Sequence, residues 1–295
     1  MKIAIFYFSG TGNTELTAKK WKESASALGI DVDLFKIEKD EFDFSKIEEY
    51  EKIGFAYPVH AFNTPENVWR YAKKFPKLEN PKKIFLIMVS GEYLAMNHSS
   101  GRKMLRILKR RNYILENDYH YIMPYNLVFR HTEERATRMF NTMNELVPID
   151  VEEYLVEGKM HRTRKLHLVG FFIFALRIEQ WFSGWNGKLF KVNNKKCIKC
   201  MKCVNNCPTQ NIKFVDGKFK FDNRCLMCAR CAFYCPADAF SIGILNSWRV
   251  NKPYLFKETD LVEKDKHPLY CKNSYIRYYK EATERIENFK KRKAI

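Results

Sequence analysis

The chain has 295 residues, 46% apolar, 15% aromatic and 29% charged, enough for two modest domains or one large one with real cores. Its formal charge is +18, split unevenly: residues 1–150 hold 23 Lys and Arg against 20 Asp and Glu, residues 151–295 hold 29 against 14. The opening MKIAIFYFSG leads into a glycine loop and not a small-residue cleavage site, and the longest apolar run, near Leu168–Leu176, falls short of the roughly 20 residues a membrane span needs, so a soluble, cytoplasmic protein with no transmembrane segment is expected.

In chain order, Lys2–Phe8 is a continuous apolar run, the pattern of a strand buried on both faces. Thr14–Leu28 is helix-like and stops at Gly29. Short apolar segments follow at Asp31–Ile37, Lys52–Tyr57, Lys83–Ser90 and Tyr119–Tyr125, with helical stretches near Thr64–Phe75, Ser99–Arg111 and Glu133–Leu146. Five strands with intervening helices predict an α/β domain over residues 1–150, a doubly wound five-stranded parallel sheet with right-handed crossovers. Residues 151–190 read as a helical linker with a dense aromatic patch: Phe171, Phe172, Phe174, Trp181, Phe182 and Trp185. Residues 191–245 carry eight of the nine cysteines and predict a small α+β domain; residues 246–295 form a basic extension, helical from about Asn273.

The cysteines form an internal repeat. Cys197, Cys200, Cys203 and Cys207 recur 28 residues later as Cys225, Cys228, Cys231 and Cys235, each run ending in proline, Pro208 and Pro236. Between them IKFVDGKFKF places Asp-Gly between alternating residues, a hairpin signal. Three closely spaced thiolates of a C-x2-C-x2-C-x3-C-P run grip one cubane, and the fourth ligates the other cluster. That spacing assigns Cys197, Cys200, Cys203 and Cys235 to one [4Fe–4S] cluster and Cys225, Cys228, Cys231 and Cys207 to a second. A disulfide framework would need an oxidising compartment, and zinc usually takes two separated C-x2-C pairs. This stretch resembles the bacterial two-cluster ferredoxins over roughly residues 191–245. Cys271 lies outside the pattern and reads as a free thiol.

After the first strand, Ser9-Gly10-Thr11-Gly12-Asn13-Thr14 opens a helix. Glycines let the backbone fold around an anion, and hydroxyls and helix amides donate hydrogen bonds to it. Neither G-x-x-x-x-G-K-[ST] nor G-x-G-x-x-G is present, which argues against a nucleotide P-loop and a dinucleotide fold. The loop resembles the flavodoxin pattern [ST]-x-T-G-x-T at Ser9, Thr11, Gly12 and Thr14, and the resemblance extends over about residues 1–147. It implies FMN at the carboxyl ends of the strands, flanked by Pro58-Val59-His60-Ala61-Phe62-Asn63 and by Ser90-Gly91-Glu92-Tyr93. Phe62 and Tyr93 are the expected aromatics on either side of the flavin ring, with His60 an alternative; Tyr57 is expected to pack within its strand. Unlike free-standing flavodoxins, the second loop has Glu92 as its only acid. The whole chain resembles the flavodoxin-domain ferredoxins of anaerobic bacteria and archaea, a likeness shared by the basic helix GRKMLRILKRR and by Met123-Pro124-Tyr125-Asn126.

Function follows as two competing expectations. The first is an electron-transfer protein relaying electrons between FMN, two [4Fe–4S] clusters and a redox partner protein; the second is an FMN- and iron–sulfur-dependent reductase of a small substrate such as a quinone or a free flavin. No acid/base pair stands out, which favours the carrier and assigns no catalytic residue. Two oxidised clusters would offset about four units of the basic excess; the remainder suits an acidic partner, with Lys195, Lys196, Lys199 and Lys202 as contacts. Lys109-Arg110-Arg111 and the terminal FKKRKAI read as solvated helix ends without the interleaved aromatics of base stacking, so no nucleic acid is expected. The aromatic stretch 171–185 reads as cover for the interdomain seam, as a homodimer contact, or as a peripheral membrane contact beside Arg162, Arg164 and Lys165. The seven histidines show no metal spacing, and His98 and His131 are expected to face solvent or cap helices.

Overall fold

The computed structural model describes residues 1–38, 41–163, 178–257 and 272–294, without the side chains of residues 178–181. Five strands, β1 (Lys2–Tyr7), β2 (Asp31–Lys36), β3 (Lys52–Pro58), β4 (Lys82–Ser90) and β5 (Tyr113–Ile122), form one sheet in the order β2-β1-β3-β4-β5, and every pairing is parallel. Helices α1 (Asn13–Ala27), α2 (Glu66–Ala72), α3 (Arg102–Lys109) and α4 (Glu133–Leu155) cover both faces. Strand β1 shows why its sequence is an unbroken apolar run. Ile3 and Ile5 pack with Trp21 and Met143 on one face, while Ala4 and Phe6 pack with Phe55, Phe75 and Leu108 on the other. The strand order reverses beside β1, the place where ligands of such sheets sit.

Two elements run longer than the apolar pattern suggests. Strand β5 begins at Tyr113 and not at Tyr119, hidden by the polar run Glu116-Asn117-Asp118. Those side chains are tied down: Glu116 pairs with Lys83 at 2.7 Å and also holds Lys52, and Asp118 Oδ1 accepts from Thr163 N at 2.6 Å. Helix α4 continues through Pro148 to Leu155 instead of stopping at Leu146. The proline removes one helical hydrogen bond, but Val147, Val151 and Tyr154 are buried on the sheet, and packing outweighs the lost bond.

The carboxyl-terminal helix Lys272–Lys293 lies against α4, burying Tyr275, Tyr278, Tyr279 and Ala282 in the same core. Its basic end is exposed, as the sequence suggested, and the helix also carries ion pairs to α4. Arg285 meets buried Asp150 at 2.6 Å and Glu153 at 2.8 Å, Arg292 meets Glu153 at 2.6 Å, and Lys293 pairs with Glu152.

The cysteine-rich half has a small core of Phe190, Ile212, Met227, Ala232, Phe240 and Ile242. Strands Ile212–Val215 and Lys218–Phe221 pair antiparallel across Asp216-Gly217, the hairpin the sequence signalled. Lys191–Val192 pairs antiparallel with Phe240–Ser241. Helix Ile178–Lys188 is anchored by Asn186, whose Nδ2 donates to Ile242 O at 3.0 Å and whose Oδ1 accepts from Ile244 N at 2.9 Å. Phe171, Phe172, Phe174, Arg164, Lys165 and Cys271, and the Trp181 side chain, lie outside the described residues. No helix among the described residues is long and apolar enough to cross a membrane.

Candidate functional site

The loops at the carboxyl ends of β1, β3, β4 and β5 converge. Ser9, Thr11 and Thr14 are all buried. Ser9 Oγ accepts from Gly12 N at 3.0 Å, closing the turn. Gly12 sits at φ +107, a left-handed conformation that glycine adopts without penalty. Asn126 Nδ2 donates to Thr11 Oγ1 at 2.9 Å and Asn13 Nδ2 to Pro124 O at 2.8 Å, so the Met123–Asn126 loop braces the Ser9–Thr14 loop from β5. Between them lies a cavity of about 70 Å³, lined by Ser9, Gly10, Thr11, Asn13 and Thr14 together with Pro58, Ser90, Gly91 and Met123–Asn126.

A larger cavity of about 720 Å³ opens beside it. Val59, His60, Ala61, Phe62, Ser90, Gly91 and Glu92, from the two loops named in the sequence, line it from the sheet side. Phe182, Met227, Leu245 and Trp248 close it from the cysteine-rich side. Two expected residues point elsewhere. Tyr93 is not on the wall: its ring stacks on His120 at 5.1 Å and meets Tyr278 at 5.1 Å. Asn63 turns inward, its Nδ2 donating to Ala61 O at 2.8 Å. Tyr125, Asn126 and Trp248 line the cavity in addition, and the sequence reading had not placed them there. The first two sit in the familiar Met-Pro-Tyr-Asn run at the end of β5, which was the available signal.

Burial shifts His60 and Glu92 on the wall toward their neutral forms. It lowers the pKa of the His60 imidazole to about 4 and raises that of the Glu92 carboxyl to about 7. Behind Ser90 lies a buried pair, His98 Nε2 to His120 Nδ1 at 3.1 Å, with His120 Nε2 to Ser90 Oγ at 2.7 Å. His98, His120 and His131 are thus buried, not solvent-facing as expected.

The cysteines group across the repeat. Cys197, Cys200, Cys203 and Cys235 line one small apolar cavity, with Cys231 at its edge. Cys207 lies close enough to Cys225, Cys228 and Cys231 to act on each electrostatically. The two halves match in detail. Lys199 and Met227 have φ 51 and 50, Met201 and Ala229 have 56 and 55, Gln210 and Asp238 have 52 and 47. These turns aim backbone amides at sulfur: Lys199 N to Cys197 Sγ and Met227 N to Cys225 Sγ at 3.4 Å, Asn211 N to Cys207 Sγ at 3.2 Å and Ala239 N to Cys235 Sγ at 3.3 Å. Desolvation raises the thiol pKa of Cys203 and Cys228 to about 11 and of Cys225 to about 12, so these groups are neutral until iron displaces their protons. Two sets of four thiols with amides directed at sulfur fit a cubane each, and the hydroxyl-lined loop with its adjoining cavity fits FMN.

The halves differ where they meet the sheet domain. Arg230 and Tyr234 stand where the first copy has Lys202 and Asn206. Arg230 Nε donates to Gly10 O at 2.7 Å, Nη1 to Glu38 Oε2 at 2.7 Å and to Asn206 O at 2.8 Å, and Nη2 to Ser9 O. Tyr234 Oη donates to Thr11 O at 2.7 Å. This clamp holds the second cysteine run against the Ser9–Thr14 loop. The first run faces outward: Cys200 and Ile198 are exposed, as are Lys195, Lys196 and Lys199.

Two family models match the chain, Flavodoxin over residues 5–104 and 4Fe-4S dicluster domain over residues 196–239. Among solved structures, the chain is similar to the flavodoxin of Streptococcus pneumonia TIGR4 (16% identity, 51% of this chain and 99% of that one, TM-score 0.35). It is similar also to the Fusobacterium nucleatum flavodoxin bound to flavin mononucleotide (15%, 53% and 98%, 0.38) and to the azoreductase of Bacillus anthracis str. Sterne (12%, 52% and 100%, 0.37). No curated protein matches it.

Proposed function

We propose that this chain, a flavodoxin domain joined to a 4Fe–4S dicluster domain, relays electrons between FMN, two [4Fe–4S] clusters and a redox partner protein. FMN exchanges two electrons and each cluster one, so the pair converts between two-electron and one-electron carriers. The observation that carries the reading is the contact between Gly10 and Cys228: the cysteine run of the second cluster touches the loop that would hold the flavin phosphate. Ser9, Gly10, Thr11, Gly12, Asn13 and Thr14 bind the phosphate. His60, Phe62, Glu92 and Tyr125 border the ring. Cys225, Cys228, Cys231 and Cys207 hold the inner cluster, and Cys197, Cys200, Cys203 and Cys235 hold the outer one. Cys228, the buried member of the inner run, faces the loop, and Cys200, the exposed member of the outer run, leaves a port for the partner.

The port is basic. Lys195, Lys196 and Lys199 surround it, with Lys202 at its edge, and opposite charge raises association rates at low salt. The partner is therefore an acidic redox protein. Electron-transfer rates with an acidic ferredoxin should fall steeply as salt shrinks the Debye length toward a few Å, and less steeply once these lysines are glutamine. A salt-independent rate would remove the docking surface from the account.

A second reading has its own observation. The cavity of about 720 Å³ carries a buried carboxyl, Glu92, beside the ring site. That is the pocket and the acid a reductase of a small molecule would need. Steady-state turnover of a quinone by the anaerobically reduced protein tests this reading.

A further inference from the structure

Charge on the sheet domain is segregated. Residues 1–150 are nearly balanced, with 23 Lys and Arg against 20 Asp and Glu, yet one face of the domain is basic. On α3, Arg102, Arg106, Lys109 and Arg110 fall on one side of the helix and are all exposed. Beside it, Arg70 on α2 and Lys73, Lys74 and Lys77 just beyond its end are exposed as well. The two helices pack together. Lys103 of α3 reaches across to Trp69 of α2, its Nζ 3.2 Å from the ring centre, so the two basic stripes form one surface.

Most of these cations have no acid beside them. Arg70 pairs with Glu66; the others make no ion pair among the described residues. Arg111, by contrast, is spent on the backbone, donating to Phe75 O at 3.0 Å and to Lys73 O at 3.3 Å. The carboxyl-terminal helix shows how the same chain treats cations that serve its own packing: Arg285, Arg292 and Lys293 each meet an acid of α4. Like charges one turn apart, as Arg102 and Arg106 or Arg106 and Arg110, repel and weaken a helix. A face that keeps them together without acids suits an anionic partner outside the chain.

Position and texture narrow that partner. Leu78 N donates to Arg111 O at 3.2 Å and Lys82 N to Asn112 O at 3.0 Å. Lys73, Lys74, Lys77, Lys109 and Arg110 therefore lie toward the amino ends of β4 and β5, the end of the sheet opposite the loops of the functional site. A redox protein seated there would be remote from both kinds of cofactor. Trp69, Tyr71 and Phe75 are buried, and α3 has no aromatic residue, so the face offers no ring on which a base could stack. What remains is a broad array of cations spread over two helices, which matches the evenly distributed negative charge of an anionic bilayer.

We propose that the α2–α3 face docks this protein peripherally on an anionic phospholipid surface, with Arg102, Arg106, Lys109 and Arg110 over the headgroup phosphates. The contact is electrostatic and needs neither cofactor.

The test is co-sedimentation of the anaerobic holoprotein with vesicles of equimolar phosphatidylglycerol and phosphatidylcholine, against vesicles of phosphatidylcholine alone. Binding to the first and not to the second is expected, and it should fade as salt shortens the Debye length. The decisive comparison removes the same charge in two places. Each Lys or Arg near an anionic bilayer contributes about fivefold in affinity, so a variant combining Arg102→Gln, Arg106→Gln, Lys109→Gln and Arg110→Gln should bind at least a hundredfold more weakly. A variant combining Lys195→Gln, Lys196→Gln, Lys199→Gln and Lys202→Gln should bind almost as the parent does. Since the four α3 side chains make no ion pair among the described residues, the first variant should keep the melting temperature of the parent. Failure to bind phosphatidylglycerol vesicles, or equal losses in the two variants, would overturn the site and leave only net charge. An α3 variant that keeps vesicle binding would overturn it too, and loss of affinity for an acidic ferredoxin or a duplex DNA oligonucleotide in that variant would assign the face to a protein or a nucleic acid instead.

Discussion

Gly10 and Cys228 are in close contact across the two halves: a Cβ added at Gly10 would lie 2.9 Å from the Cys228 carbonyl oxygen and 3.1 Å from its Cβ. Gly10 is not at a positive φ, so alanine there meets no backbone penalty; the obstacle is backbone, which cannot swing away. Gly10→Ala should therefore separate the phosphate loop from the inner cysteine run, cost about 1–3 kcal/mol as an overpacked contact does, and slow exchange between flavin and clusters. Thermal unfolding and stopped-flow absorbance check both effects. An unchanged rate and melting temperature would mean that this contact does not couple the halves.

Arg230 is the second tie. Glu38 has a side chain only 2% exposed and Arg230 11%. Removing one partner of a buried pair leaves the other uncompensated, at a cost of about 3–5 kcal/mol. Arg230→Ala should lose that much stability, and Arg230→Lys should recover little, because an ammonium cannot reach Gly10 O, Ser9 O and the carboxylate at once as the guanidinium fork does. Unfolding midpoints of the anaerobic holoprotein measure this; full rescue by lysine would reduce the clamp to simple charge.

FMN retention depends on the braced loop. If the loop holds the phosphate as proposed, Thr11→Ala or Thr14→Ala would remove a hydroxyl donor, and each charge-assisted bond is worth roughly 1.5–3 kcal/mol. Asn126→Ala should weaken binding less, since Asn126 acts through Thr11. Flavin fluorescence titration gives the affinities, and chromatography of acid-released flavin should show FMN. FAD, or unchanged affinity in both threonine variants, would contradict the assignment.

The crossing ligands give the fourth test. Cys235→Ser should damage the cluster bound by Cys197, Cys200 and Cys203, although it lies next to the other run in sequence, and Cys207→Ser should damage the inner one. EPR of the reduced variants separates the two. A Cys235→Ser variant that loses the inner cluster and keeps the outer one would reverse the assignment.

Much of this site was readable from residue types and spacing. The five-stranded sheet followed from buried apolar runs, the Ser9–Thr14 loop follows β1 as expected, and a short strand follows each cysteine run. What escaped depended on contacts distant in sequence. Glu38 and Arg230 are 192 residues apart, and only the departure of the second copy from the first, arginine for Lys202 and tyrosine for Asn206, hinted at the clamp. Tyr93 was expected beside the flavin ring, but the carboxyl-terminal helix supplies Tyr278 to hold it elsewhere. Glu116, Asn117 and Asp118 hid half of β5, because each bonds a partner in another segment that its own strand does not announce. Glu92 was named only as a loop residue, and nothing in its sequence surroundings signalled that burial raises the pKa of its carboxyl.

The most direct test of the relay follows both cofactor types in one experiment. The oxidised protein is mixed anaerobically with a reduced acidic ferredoxin, and cluster and flavin absorbance are recorded together. The account predicts that the clusters bleach first and that flavin reduction follows, with flavin reduction by the ferredoxin abolished in Cys200→Ser, which lacks a ligand of the outer cluster. Flavin reduction that precedes cluster bleaching, or that proceeds at the full rate in Cys200→Ser, would contradict it.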